Sequence, residues 1–453
     1  MINFWAILPF AAKRCNPLPS IVPFAPCHAS LKCIDIISAN PPLSSASRVL
    51  RVIPNNKSRQ GLEVLVRTND LAHGNESIYD SVYDGLYRLE GMGYGVDSLE
   101  GTPKQPSILF YYPIAQGNPF QSIYYSEFFV NGIAPIGIAE IENITSFRLP
   151  VNTFLHLHWL GSIIGDTENE QIANERINEF IAQISKIKSN GTKIVWTVHN
   201  ILPHDSKLKE AQIRLRIELI KLADIIHVMN EDTKSLSEPF FEIPDGKIIF
   251  APHPSYRGYY PSIVTREESR FQLGIPQDSF VFLFFGSIQA YKGLEDLINA
   301  FEKLQNKQKN VYLLIAGKVI NKSYFSAVRR KIESNMNIRL FESRISTEHV
   351  QYYFKASDYC VCPYRITLNS GVAHLAHTFD VPVIGPNIGG FKLLLENGGG
   401  FLYNHEEISD LHSTLVQSID ETITTEEVQQ IDSKFEMKAI SELFRSKLIE
   451  FSM

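Results

Sequence analysis

Phe280-Val281-Phe282-Leu283-Phe284-Phe285-Gly286-Ser287-Ile288-Gln289-Ala290-Tyr291-Lys292-Gly293 reads as a buried strand that runs into a glycine turn, then a lysine, then a helix. A second junction of the same kind lies downstream. Ser370-Gly371 opens a helical pattern from Val372 to Phe379, and the apolar run Val381-Pro382-Val383-Ile384 leads to Gly385-Pro386-Asn387-Ile388-Gly389-Gly390. Glycines and a hydroxyl at a helix start let backbone N–H groups and the helix dipole face a phosphate. Two such junctions and a lysine within one half of the chain point to a ligand that carries a pyrophosphate.

Strands alternate with helices on both sides of these junctions, which indicates parallel α/β sheets. Upstream, the expected strands are 107–112, 134–138, 153–159, 193–199 and 224–229, with helices over 120–130, 170–188 and 206–222. Residues 252–262 hold three prolines, Gly258 and three tyrosines, the composition of a linker. A second series follows, with strands at 279–285, 311–316, 337–341, 358–362 and 382–385. The expected fold is α/β, with two doubly wound Rossmann-like domains facing a central cleft. Ligands of open α/β sheets bind at the carboxyl ends of the strands, where these motifs fall. The expected division is a poorly ordered extension over 1–60 and a lead-in over 61–104. An N-terminal acceptor domain over 105–255 and a C-terminal donor domain over 256–430 follow. A last helix over 431–453 crosses back to the N-terminal domain.

At 453 residues the chain is long enough for domains of this size, and 44% hydrophobic residues suffice for real cores. A net charge of −6 lacks the basic footprint of a nucleic-acid binder. No apolar run reaches the ~18 residues that span a bilayer, so a soluble or peripheral, cytoplasmic protein is expected. The apolar residues 2–12 precede Lys13 and Arg14, the wrong charge order for a secretory signal. Five cysteines in so long a chain make no disulfide framework, and no metal site is expected.

The set Gly286–Gly293, Leu313-Leu314-Ile315-Ala316-Gly317, Pro363-Tyr364-Arg365 with Ser370-Gly371, and Pro382-Val383-Ile384 resembles the donor-binding half of a GT-B glycosyltransferase. The resemblance covers roughly residues 105–450 and is specific as a set. It is nearer to bacterial polysaccharide enzymes, including mannosyltransferases, than to the large retaining group with a Glu-x7-Glu pair. The two glutamates of that pair would fall at Thr367 and Leu375. The resemblance implies a UDP- or GDP-sugar donor, a glycan or lipid-linked acceptor, a place at the inner face of the membrane and no required cofactor.

Lys292 is expected at an exposed cleft position, where it supplies positive charge to a diphosphate. Related enzymes carry an arginine near this loop, but here Ser287 and Gln289 stand there, so Arg365 is the substitute cation. Gly286, Ser287, Ser370 and Gly371 supply amides and hydroxyls, and Glu396 is a candidate for sugar or ribose hydroxyls. His199 follows a strand end, and a histidine at this place in similar enzymes contacts the donor. An acceptor hydroxyl must lose its proton; Asp205 and Glu127 are the available carboxylates. His156 and His158 share one strand face, as core histidines or, for His158, as a cleft group. The basic helix 206–222, with Lys207, Lys209, Arg214, Arg216 and Lys221, suits either a packed surface helix or an anionic membrane. Two other readings stand beside transfer. A nucleotide-sugar epimerase would need carboxylates that the serine–glycine region lacks. A non-catalytic subunit partnering another transferase is compatible with the missing Glu-x7-Glu pair.

Overall fold

The computed structural model describes residues 47–51, 63–67, 76–92, 94, 106–115, 117–149, 151–203 and 207–451. These belong to one compact unit, Ser45–Met453. The expectation for the first sixty residues falls mostly outside them. β1 (Ser47–Arg51), inside that stretch, pairs antiparallel with β2 (Glu63–Arg67), which follows it.

Two six-stranded sheets carry the rest. The first contains β3 (Ser107–Tyr112), β4 (Ile133–Gly137), β5 (Asn152–Leu157), β6 (Lys193–Thr197), β7 (Ile225–Val228) and β8 (Ile248–Phe250). They run parallel in the order β4-β3-β5-β6-β7-β8. The second contains β9 (Phe280–Phe285), β10 (Val311–Ala316), β11 (Ile338–Phe341), β12 (Tyr359–Val361), β13 (Val383–Pro386) and β14 (Gly400–Tyr403). These are also parallel, in the order β11-β10-β9-β12-β13-β14.

The apolar runs are continuous because both sheet faces are covered. Along β9, Phe282 and Phe284 pack with Leu297 and Phe301 of the helix Leu294–Gln305. Val281 and Leu283 point the other way, into a cluster with Ala373 and Ala376 of the helix Gly371–Thr378. In the first sheet, Leu155 and Leu157 meet Ile177 and Ile184 of the helix Glu170–Ser189. The opposite face of β5 carries Phe154 and His156.

Strand order locates the crevices. In the second sheet the order reverses between β9 and β12, in the first between β3 and β5, and ligands of such sheets bind at these switch points. Both crevices lie at carboxyl strand ends, next to Gly286 and Pro363 in one domain and Tyr112 and His158 in the other.

Several elements depart from the sequence expectation. β8 and β14 were not foreseen. β8 is three residues long, and β14 starts in Gly398-Gly399-Gly400, which reads as a turn. Gly400 is required there, since a Cβ would lie 2.0 Å from the Val383 carbonyl. The helix Glu76–Gly91, read only as lead-in, buries Ile78, Val82 and Leu89 in the first domain's core. The helix expected over 120–130 stops at Tyr124. Ser441 explains the stop: its hydroxyl donates to the Tyr124 carbonyl (2.9 Å) and accepts from the Glu127 N–H (3.1 Å). Glu127 therefore sits in a turn and not on a helix.

Ser441 belongs to the last helix, Met437–Glu450, which packs on the first domain through Ile440, Phe444 and Leu448. Phe444 is fully buried and touches the rings of Tyr124, His156 and His227. Phe444→Ala should cost about 3–5 kcal/mol through the cavity it leaves. Urea unfolding checks this, and a loss below about 1 kcal/mol would mean that this helix is not part of the core.

Candidate functional site

The C-terminal switch point is built from two loops that touch. After β9, Gly286 takes φ +107 and the chain closes a 3-10 turn over Ala290–Lys292. Gly293 ends that turn with φ +66, and a Cβ on it would lie 1.9 Å from the Pro363 carbonyl. Only glycine fits such an approach. The Arg365 N–H donates to the Tyr291 carbonyl at 2.9 Å, so the Tyr-Lys-Gly and Pro-Tyr-Arg stretches form one surface.

Lys292 lies inside that surface. It is 7% exposed, not exposed as the sequence suggested. The reason is the glycine turn, which folds the lysine stem back under Gly286 and over the Tyr364 ring, 5.2 Å from its centroid. A Cβ on Gly286 would lie 3.0 Å from Lys292 Nζ and 3.6 Å from Val372 Cγ2. The ammonium thus sits beside the first turn of the helix Gly371–Thr378. Among the described residues no carboxylate pairs with it; burial pulls its pKa from 10.5 down to about 8, against the neighbouring Cys362 and Cys360 thiols, which favour the charged form. The Tyr364 ring beside it is buried as well, with its hydroxyl near Ser370 and Cys362. A buried ammonium with no carboxylate beside it asks for an explanation.

Ser370 caps the helix by accepting from the Ala373 N–H at 3.3 Å. Gly371 leaves room for the linker, since a Cβ would come 2.7 Å from the Tyr256 hydroxyl. Ser287 accepts a hydrogen bond from Gln289. Arg365 is committed elsewhere: its Nε and Nη2 bond both oxygens of Asp296, at 2.6 and 2.8 Å. The helix Gly390–Leu395 starts beside Leu368, whose carbonyl accepts from the Gly390 N–H at 2.8 Å. Glu396 is exposed at the other end of that helix. Lys292, Gly286, Ser370 and Gly371 are therefore brought together, and Glu396 is not.

The opposite wall comes from the first domain. His199 stands two residues past the end of β6, which stops at Thr197. Its ring stacks on Trp159 (centroids 4.2 Å apart) and bonds His158 (3.0 Å). Burial and the neighbouring histidines hold its pKa well below the usual 6.5, so it is neutral at pH 7. The His199 carbonyl accepts from Asn369, one residue before Ser370. Asn230 adds a second bridge, donating to the Leu368 carbonyl and to Asn369 Oδ1, both at 2.9 Å. Sequence reading missed Asn230 and Asn369, because no spacing rule links residues 139 apart. Asp205 lies outside the described residues, and Glu127 is fastened to the last helix through Ser441.

The basic helix is Lys209–Leu222, and its cations have partners within the chain. Arg216 is buried on Gln212, Arg214 bonds Asn174 and Asn178, and Lys221 pairs with Glu218. Lys209 lies over the Phe240 ring, and Lys207, just before the helix, pairs with Glu168. Among the described residues no helix is long and apolar enough to cross a membrane, and no cluster of three or more His, Cys, Asp or Glu is placed to hold a metal.

Residues 265–433 match the family Glycosyl transferases group 1. The chain is 26% identical over 236 residues to a D-inositol 3-phosphate glycosyltransferase of Corynebacterium aurimucosum, covering 50% of this chain and 56% of that one. It is 24% identical over 235 residues to the GDP-mannose:glycolipid 4-beta-D-mannosyltransferase of Xanthomonas campestris pv. campestris, covering 51% and 60%. The chain thus spans little more than half the length of these relatives. Among solved structures, Anabaena HepE in complex with UDP and glucose superposes with a TM-score of 0.58 at 14% identity, covering 76% of this chain and all of that one. A trehalose-phosphate synthase of Burkholderia vietnamiensis gives 0.53 at 11% identity, over 76% of this chain and 100% of its own. The fold is that of the GT-B glycosyltransferases, and residues 265–433 carry the match to the Glycosyl transferases group 1 family.

Proposed function

We propose that the protein is a hexosyltransferase that moves a sugar from a nucleoside diphosphate sugar to a glycan acceptor, lipid-linked in the manner of the glycolipid substrate named for the Xanthomonas relative. One observation carries the reading. Lys292 is a buried ammonium with no carboxylate beside it among the described residues, at the switch point of a doubly wound sheet and beside a capped helix start. A diphosphate supplies the missing negative charge, and the free N–H groups of the first helical turn add to it. UDP or GDP would both fit this description, and the work in polysaccharide assembly follows from the acceptor.

In the transfer the bond between the anomeric carbon and the diphosphate oxygen breaks, and its electron pair leaves with the diphosphate. The acceptor hydroxyl oxygen bonds to that carbon and gives up its proton. Negative charge grows on the leaving group as this happens. Lys292 and the helix amides are already oriented toward it, which is the electrostatic stabilisation that dominates such steps. Arg365 joins only if it leaves Asp296. Neutral His199 lines the first-domain wall, where it can accept a hydrogen bond from a hydroxyl. Asp205 and Glu127 remain the carboxylate candidates for the proton. A site at the membrane face would bring the enzyme to its acceptor.

The cost of burying Lys292 gives a test that needs no substrate. Below pH 8 both the folded and unfolded chains carry this proton, and the folded state bears the whole penalty. Between pH 8 and 10.5 the folded amine loses its proton first, so the penalty fades as pH rises. Lys292→Met should therefore stabilise the protein at pH 7 by roughly 1–3 kcal/mol, with a smaller gain at pH 10. Denaturant unfolding at the two pH values reads both. A loss of stability at pH 7 would show that Nζ has an unseen partner.

Calorimetry with UDP and GDP tests the function itself. Binding should draw protons from the buffer at pH 8, because the diphosphate raises the lysine's pKa. Lys292→Ala should lower turnover with a donor about 10- to 150-fold, the worth of a charge-assisted bond of roughly 1.5–3 kcal/mol. Lys292→Arg should recover part of that. A folded protein that binds neither nucleotide would sink the proposal.

A further inference from the structure

Behind His199 the first domain holds a file of buried groups that the transfer reading does not use. Seven hydrogen-bonding groups follow one another from the core to the cleft. His227 Nε2 lies 2.8 Å from the Ala251 carbonyl. His227 Nδ1 lies 2.8 Å from Thr197 Oγ1, which is 2.6 Å from His156 Nε2. His156 Nδ1 is 2.7 Å from the Tyr125 hydroxyl, which is also 2.7 Å from His158 Nε2. His158 Nδ1 is 3.0 Å from His199 Nε2. Thr197, His156, His158 and His227 are at most 1% exposed and Tyr125 is 5% exposed, so water does not compete for these bonds.

Burial holds every imidazole in the file neutral at pH 7. Each ring therefore has one N–H and one lone pair, and which nitrogen bears the proton depends on its partner. The Ala251 carbonyl can only accept. That places a proton on His227 Nε2 and leaves Nδ1 bare. Thr197 must then donate to His227 and accept from His156 Nε2. His156 Nδ1 is bare, so Tyr125 donates to it and accepts from His158 Nε2. His158 Nδ1 is bare in turn, and His199 donates to it through Nε2. The opposite polarity would set the His227 Nε2 lone pair against the Ala251 oxygen at 2.8 Å in a dry core, which is unfavourable. Tyr124 fits the first polarity: its hydroxyl donates to the Ala251 carbonyl at 3.5 Å, which leaves its oxygen, 2.7 Å from His227 Nε2, free to accept a share of that N–H.

We infer that the Ala251 carbonyl, acting through His227, Thr197, His156, Tyr125 and His158, fixes His199 as the Nε2–H tautomer with Nδ1 as an acceptor. Among the described residues no hydrogen-bond donor is engaged by His199 Nδ1. Thr197 and Tyr125 are thus positioning residues, since each hydroxyl passes the polarity onward. The consequence for recognition rests on the transferase reading: at this wall His199 can take a hydrogen bond from a hydroxyl but has no proton to offer a phosphate oxygen. The lock itself does not depend on that reading and is measured without substrate.

The test is the tautomer of His199 in full-length protein with 15N-labelled histidine, read from the two ring-nitrogen shifts and assigned by the signal lost in His199→Gln. In the wild type a single Nε2–H form is expected. Thr197→Val cuts the file and should give a mixture of forms, and Thr197→Ser, which keeps the hydroxyl, should restore the single form. Tyr125→Phe cuts at the next hydroxyl and should act as Thr197→Val does, which covers the case in which one variant fails to fold. An Nδ1–H form in the wild type, or an unchanged single form in a folded Thr197→Val or Tyr125→Phe, overturns the inference. Failure of nucleotide binding with the tautomer result intact would count against the transferase reading alone.

Discussion

An ammonium held out of water with no carboxylate beside it among the described residues is the constraint around which the C-terminal domain is arranged. Burying a charge is expensive unless something pairs with it. The protein meets that expense with the rest of its core, through Phe282, Phe284, Leu297 and Phe301 on one face of the sheet and Val281, Leu283 and Ala376 on the other. Those contacts hold β9 and β12 side by side, and the glycines at 286 and 293 bend the loop so that Lys292 turns inward. A site that is costly when empty gains most when an anion arrives.

The first domain follows a different logic. Its cleft wall is neutral, aromatic and heavily hydrogen-bonded, with His199 between Trp159 and Phe120. One domain thus offers charge and the other offers oriented neutral groups. Such a division suits a ligand whose one end is a diphosphate and whose other end is a polyol. The two walls meet where Asn369 touches the His199 carbonyl and Asn230 touches Leu368. The linker is fastened as well: Arg257 bonds Asp432 and Asp380, and the Ser255 N–H donates to the Phe435 carbonyl. With the last helix packed back on the first domain, the domains are joined at the linker, the last helix and the Leu368–Asn369 loop.

Much of this was legible in the residues. Continuous apolar runs flanked by amphipathic stretches gave the strands β3 to β7 and β9 to β13 to within a residue or two, because a strand covered on both faces has few polar positions. Glycine turns after strands marked the loops at the C-terminal switch point for a local reason: positive φ and a helix start are written in neighbouring residues. The errors were also physical. Lys292 was expected in solvent because a lone lysine ordinarily is, and its burial depends on Tyr364, 72 positions away in the chain. Helix 120–130 was drawn too long because Ser441, which interrupts it, lies 317 residues on from Tyr124.

The sequence by itself determined the local events: where strands and helices start, where the backbone must bend, and which residue types stand at the strand ends. Tertiary structure decided which of those residues act together. It gathered Gly286, Lys292 and Ser370 at one crevice, committed Arg365 to Asp296, and left Glu396 outside. It also linked Tyr125, His156, His158, Thr197, His199 and His227 into one hydrogen-bonded file. The physical reason is range. Propensity and capping act over a few residues, whereas desolvation and hydrogen-bond polarity depend on every group within a few ångströms, whatever its place in the chain.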